Sequence, residues 1–240
     1  MTDAFDPADN LVLTGFGRPG FAEDYDAVRP GTPEVLVDLL CQYARVERPR
    51  LVVDLGCGTG LSTEPWAARA ERVVGVEPLP EMLAVARGRL PPNVELVEAF
   101  AHETGLPDGS ADVVVCVQSF HWMDPVPTLR EVARILRPGG VFAAVDYDGP
   151  ASLDWEVEQA AIRFREQARR LRDELDVHVG ADEARTWPKE ATWPRSRRAG
   201  ASRTSRRPCC TPSVAAARST TCSGRSTRSS TTSTSSTSAA

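Results

Sequence analysis

The heptapeptide Asp54-Leu55-Gly56-Cys57-Gly58-Thr59-Gly60 constrains the chain more than any other stretch. It grows out of Leu51-Val52-Val53-Asp54-Leu55, a run too short and too β-branched for a helix, which reads as a buried parallel strand stopping at Gly56. Glycines at 56, 58 and 60 remove every second Cβ, so the backbone can turn tightly and lie against a ligand. A phosphate-binding Gly-x-Gly-x-x-Gly turn would need its third glycine at position 61, where Leu61 stands, and the Gly-Lys-Ser/Thr of a nucleotide-triphosphate loop is absent. Asp54, two residues before the first glycine, suits a ligand carrying an ammonium group better than one carrying a pyrophosphate.

The same strand-then-helix unit repeats downstream. A helical stretch over Ser62–Ala70 leads to a strand at Arg72–Val76, and a helix over Pro80–Leu90 leads to one at Val94–Val97. After a loop containing Pro107-Asp108-Gly109 comes a strand at Asp112–Val117, and a helix over Val126–Leu136 feeds a fifth strand, Val141–Val145. This alternation predicts an α/β fold: a Rossmann-like, doubly wound, mostly parallel sheet with right-handed crossovers. Such sheets bind ligands at the carboxyl ends of their strands. Glu77, at the end of the second strand, can offer two acceptor oxygens to the two hydroxyls of a ribose.

Four segments are expected. Residues 1–45 hold an N-terminal segment, loosely ordered up to about residue 20, and a helix beginning near Thr32-Pro33. Residues 46–148 form the sheet domain. Residues 149–190 form a helical cap, with Trp155, Val157, Ala161, Phe164, Ala168, Leu171 and Leu175 as an apolar stripe. Residues 191–240 change character, and nothing after Arg195 reads as a strand, so the C-terminal strands of the sheet are expected to be missing and the fifth to be an exposed edge.

Charge is divided along the same line. The net charge of −5 conceals nine arginines and no acidic residue in 191–240, which leaves 19 basic against 33 acidic residues in 1–190. An acidic body argues against nucleic acid as the main partner. The acidic N-terminus has no apolar leader, the apolar runs are only strand-sized, and the six cysteines show no zinc-ligand spacing. The reading is a cytoplasmic protein with reduced thiols, no membrane span and no metal; the oligomeric state stays open.

Val52–Gly60, Val73–Pro78, Ala101–Asp112, Gln118-Ser119-Phe120-His121-Trp122 and Leu136-Arg137-Pro138-Gly139-Gly140 resemble, in order, the motifs of class I S-adenosylmethionine-dependent methyltransferases. Phe21, Tyr25 and Arg29-Pro30 are similar to the cap of the small-molecule branch that includes trans-aconitate methyltransferase-like proteins, and the resemblance runs over about 21–147. It implies S-adenosyl-L-methionine as cofactor and a small-molecule methyl acceptor. Gly56, Cys57, Gly58 and Gly60 would border the cofactor's amino-acid end, with Asp54 near its ammonium group and Glu77 on its ribose. Leu79 would pack on adenine, while Ala101 and His102 would meet the adenine edge through backbone groups. Two positions depart from the family pattern: Phe100 stands where an acidic residue is frequent, and His102 where glutamate is usual.

Gln118 would lie near the reactive end. Tyr25 and Arg29 either close over the cofactor or anchor the N-terminal helix. His121 is the candidate base, or else a His-Trp pair packs its loop against the next helix; His102 and His178 are the other histidines. A non-catalytic cofactor-binding remnant, an aminopropyl transferase and a nicotinamide dehydrogenase are the alternatives. Asp54 and Gly60 speak against the last.

The tail admits two readings. An Arg/Ser arm without a packed core could be disordered and bind RNA. Alternatively the reading frame slips near residues 188–195. With GC-rich codons, Asp-Glu-Leu-Asp-Glu read one base later becomes Thr-Ser-Ser-Thr-Ser, the string at Thr234–Ser238.

Overall fold

The computed structural model describes residues 5–146, 155–175, 184–187 and, for the backbone, 214–218. Five parallel strands, β1 (Leu51–Leu55), β2 (Arg72–Glu77), β3 (Val94–Glu98), β4 (Ala111–Val117) and β5 (Leu136–Val145), form the sheet together with β6 (Val214–Arg218). Their order is β3-β2-β1-β4-β5-β6. Every neighbour pair is parallel except β5–β6, which is antiparallel. The expectation that nothing beyond Arg195 forms a strand is therefore corrected. Without β6, β5 would be an apolar edge with unpaired N–H and C=O groups, and the proline-free stretch 214–218 supplies backbone to satisfy them. The rest of 191–240, and with it the shifted-frame reading, lies outside the described residues.

The helices are α1 (Pro7–Thr14), α2 (Phe21–Val28), α3 (Glu34–Ala44), α4 (Glu64–Arg69), α5 (Pro80–Arg89), α6 (Pro125–Ile135) and α7 (Trp155–Glu174). α1 corrects the expectation of loose order over the first 20 residues. Asp6 caps it, its carboxylate accepting from the Ala8 and Asp9 amides; Pro7 opens it, and Gly15 ends it at φ +69°. None of the helices among the described residues is long and apolar enough to cross a membrane.

β1 is buried along its whole length, with alternate residues entering opposite layers. Val53, Leu55, Val74, Val76, Val114 and Phe142 pack with Val132 and Ile135 of α6. On the other face Val52, Val73, Val113, Val115 and Val141 meet Leu36, Val37 and Leu40 of α3 and Trp66 of α4. At the amino ends of the central strands Asp112 is a clamp. Its Oδ2 accepts from the Arg50 and Leu51 amides at 2.7 and 3.1 Å, and its Oδ1 from the Arg137 side chain. Burial alone would raise its pKa, but Arg137 and the two amides outweigh that and hold the carboxyl below its usual range. Strand order reverses between β1 and β4, so the crevice beyond their carboxyl ends is where the fold puts a ligand.

Candidate active site

A cavity of about 210 Å³ opens at that crevice. Gly56, Cys57, Gly58, Glu77, Leu79, Ala101, His102, Gln118, His121, Tyr25 and Arg29, all singled out in the sequence, line it together. Asp54 and Gly60 do not; they sit behind its wall.

The three glycines do different things. Gly56 has φ +70°, and a Cβ there would stand 2.6 Å from the Ser119 Cβ and 2.9 Å from the Met123 Cε. A Cβ on Gly60 would meet Leu90 Cδ1 at 2.9 Å. Both are places where neighbouring elements pack against bare backbone. Gly58, at φ +55°, has nothing within 4 Å of the Cβ position. Its open side belongs to the cavity.

Asp54 is fully buried. Its Oδ2 accepts from Ser62 Oγ at 2.6 Å and Thr63 Oγ1 at 2.7 Å, which fastens the entry of α4 to the end of β1. Its Oδ1 is buried without a partner, and burial pushes the carboxyl up to about 6 against the pull of the two hydroxyls. Asp54 therefore lies behind Ser62, which does line the cavity. Glu77 differs. It lies in the cavity wall, with Oε2 accepting from the Gly58 amide and Oε1 from the Leu79 amide, each at 3.1 Å. Burial raises its carboxyl to about 7 despite these two bonds.

Beyond β4, Gln118 adopts φ +57°, an uncommon conformation for a residue with a side chain. Its amide donates to the Val145 carbonyl at 2.8 Å, and its Nε2 is buried without a partner. The Thr59 hydroxyl is likewise buried, unpartnered and in the lining. His121 stands on a 3-10 turn, Phe120–Trp122, with its Nδ1 3.5 Å from Asp146 Oδ1 and its ring 5.0 Å from that of Trp122. Phe100 and His102 stack at 5.6 Å. His178 lies outside the described residues.

Sequence reasoning found Tyr25 and Arg29 but missed the part of the roof that α1 supplies. Phe5, Asn10, Leu11, Thr14 and Phe16, on and around α1, line the cavity. Phe16 stacks on Phe21 and meets Trp122 edge-on at 5.2 Å, while Arg29 lies over the Tyr25 ring at 4.9 Å. Residues 184–187 strap this roof down. Asn10 Nδ2 donates to the Arg185 carbonyl at 3.1 Å, the Arg185 amide donates to Asn10 Oδ1 at 2.6 Å, and the Trp187 amide donates to the His121 carbonyl at 2.9 Å. The Asp6-Pro7 start and Gly15 stop were the available signals for α1. The strap has none, because its partners Asn10 and His121 are distant in sequence.

The site is thus a glycine turn after β1 and a carboxylate ending β2, on a helix-backed parallel sheet. Residues 53–144 match the methyltransferase domain family. This segment is what the chain shares with methyltransferases. It is 41% identical over 142 residues to an uncharacterized methyltransferase of Mycobacterium tuberculosis, covering 59% of this chain and 56% of that one. It is 30% identical over 137 residues to a protein of Saccharomyces cerevisiae named as a probable S-adenosylmethionine-dependent methyltransferase, covering 55% and 47%. The solved YcgJ protein of Bacillus subtilis is 27% identical with a TM-score of 0.43, over 48% of this chain and 51% of that one. The chain thus spans about half the length of the curated relatives it matches.

Proposed function

We propose that the chain binds S-adenosylmethionine in this cavity and transfers its methyl group to a small-molecule acceptor. The observation that carries the proposal is the pairing of Gly58 and Glu77: open space beside one, and a cavity-wall carboxylate hydrogen-bonded to its amide. The donor set fits the cofactor on three further counts. Each Glu77 oxygen takes a single hydrogen bond and keeps acceptor capacity for a hydroxyl. Thr59 Oγ1 and Gln118 Nε2 are buried polar atoms that no protein group satisfies. Leu79, Met82 and Ala101 supply apolar wall for a flat ring.

Bound there, the cofactor supplies a methyl group on an already activated sulfonium leaving group. The protein's task is then mainly alignment, an effect worth on the order of 7–11 kcal/mol. Gly56, Cys57 and Gly58 hold the amino-acid end, and Asp54 acts at one remove by fixing Ser62 and Thr63. Glu77 takes the ribose, with Leu79, Ala101 and His102 on the base. Gln118, His121 and Trp122 face the acceptor, under a roof of Tyr25, Arg29 and α1. His121, oriented by Asp146, accepts the acceptor's proton at Nε2 when the nucleophile must lose one, adding about 10²–10⁴-fold. The acidic body supports a small molecule over nucleic acid as acceptor.

Calorimetric titration with S-adenosylmethionine, S-adenosylhomocysteine and NAD tests the cofactor, and a metabolite screen with a radiolabelled methyl donor tests the transfer. A folded sample that binds only NAD, or none of the three, overturns the reading. Binding without transfer to any acceptor leaves a cofactor-binding remnant instead.

A further inference from the structure

Helices carry the chain from β1 to β2, from β2 to β3 and from β4 to β5, but residues 99–110 run from β3 to β4 without one. An irregular connection has no hydrogen-bond ladder of its own, and left alone it opens at low free energy. Ala101 and His102 of this loop nevertheless line the cavity. Among the described residues no group accepts from the amide of either, so two donors remain for a guest.

What holds the loop comes from α6. Thr104 is only 3% exposed, and its amide and hydroxyl both donate to Glu131 Oε1, at 2.9 and 2.5 Å. Arg134, one turn further on, donates from Nη2 to the same oxygen at 2.7 Å and from Nε to Oε2 at 2.8 Å. It also reaches Asp108 with Nη1 at 2.5 Å, and its carbonyl accepts from the Gly109 amide at 2.9 Å. The Thr104 hydroxyl accepts in turn from the Leu106 amide at 3.3 Å. Arg134 above all, then the Thr104 hydroxyl and amide, outweigh burial and hold the Glu131 carboxyl well below the usual range. It stays ionised, and the bonds it accepts are charge-assisted.

We propose that Glu131 is a positioning residue: through Thr104 it holds the Ala101 and His102 amides where they read the edge of an adenine, given that the cofactor binds as proposed above. Neither Glu131 nor Thr104 lines the cavity, so the carboxylate acts only through the loop. Ala101 and Leu106 also pin the loop to the apolar core, but such contacts are non-directional and set its depth, not its orientation. Orientation is what a base edge tests. Adenine presents an acceptor at N1 beside an amino donor at C6, and hypoxanthine presents the reverse, an N–H at N1 and a carbonyl at C6. A donor fixed opposite N1 suits the first and is opposed by the second. A loop free to move adapts to either.

The affinities of S-adenosylhomocysteine and S-inosylhomocysteine, measured by calorimetry on the full chain, test this role. The parent should prefer the adenine compound by about thirtyfold. Glu131→Ala should cut that preference to about threefold, almost wholly by weakening S-adenosylhomocysteine. Thr104→Val, which removes only the hydroxyl, should cut it to about tenfold. Partial unfolding would lower both affinities by one factor and leave their ratio alone. In the free protein the Thr104 and Leu106 amides should exchange at least about tenfold faster in Glu131→Ala, with Val114 unchanged. Should that variant fail to fold, the isosteric Thr104→Val decides by its ratio. A parent without base preference, or variants that keep the parent's ratio, overturn the role of Glu131 and leave cofactor binding standing. A folded parent that binds neither compound overturns both.

Discussion

The floor and the roof of the cavity are held by different forces. The floor is strand-end backbone: Glu77 ends β2, while Gly56 and Cys57 directly follow β1 and Gln118 directly follows β4, on a sheet between two apolar layers. The roof is α1, α2 and the strap 184–187, joined by ring contacts and by one reciprocal pair between Asn10 and Arg185. Elements with few buried contacts open at low free energy, whereas core strands open only with global unfolding. The floor is therefore suited to hold a cofactor in fixed geometry, and the roof to admit and select what it reacts with.

The sharpest way to break this contrast is through the floor. Gly56→Ala puts a methyl within 3 Å of Ser119 and Met123 at a positive φ and should cost about 2–4 kcal/mol in urea unfolding. Glu77→Gln tests the carboxylate. An acid weakened by burial stabilises the fold while it stays protonated, and that contribution is lost as pH rises from 4.5 through about 7. The variant should then be more stable than the parent by about 1–3 kcal/mol at pH 8 and equal to it at pH 4, while binding S-adenosylmethionine about tenfold more weakly. A parent whose stability is flat over this range would contradict the burial argument.

The roof should respond locally. Asn10→Ala removes both bonds to Arg185 and should cost about 1–2 kcal/mol, read as faster amide exchange at Arg185 and Trp187 with no change at Val53 or Val114. If the strand amides speed up equally, roof and floor are one cooperative unit. Gly58→Ala sharpens the comparison from within the floor. Its methyl meets no protein atom, so stability should fall by only about 1 kcal/mol for the φ, while cofactor affinity drops about tenfold. The smallest effect is expected at Arg72→Ala, since the Arg72–Glu95 pair is about half exposed; its loss should shift stability by less than about 0.5 kcal/mol.

The floor was legible in the sequence because its causes are local. A wholly apolar run between turn signals is a buried strand, and three alternate glycines after it leave few alternatives. Strand limits moved by one residue where Glu77 and Glu98 extend their strands, and by five where Leu136 begins β5 by pairing with Ala111. Side-chain direction was not legible. Asp54 and Glu77 end neighbouring strands alike, but the Ser62 and Thr63 hydroxyls claim one behind the wall, while the Gly58 and Leu79 amides hold the other in it. The strap and β6 were missed for a related reason. β6 exists through the backbone of β5 and the strap through the Asn10 side chain and the His121 carbonyl, and a single chain read in order carries no mark of such distant partners.

The Glu77 carboxyl, held near 7 in the free protein, has one more consequence. At neutral pH roughly half of the free molecules carry a proton there. A guest whose hydroxyls donate to those oxygens favours the ionised form, so occupancy expels a fraction of a proton into the buffer. The heat of loading should accordingly change with the ionisation enthalpy of the buffer near pH 7, and the dependence should vanish in alkaline solution, where the site is already bare.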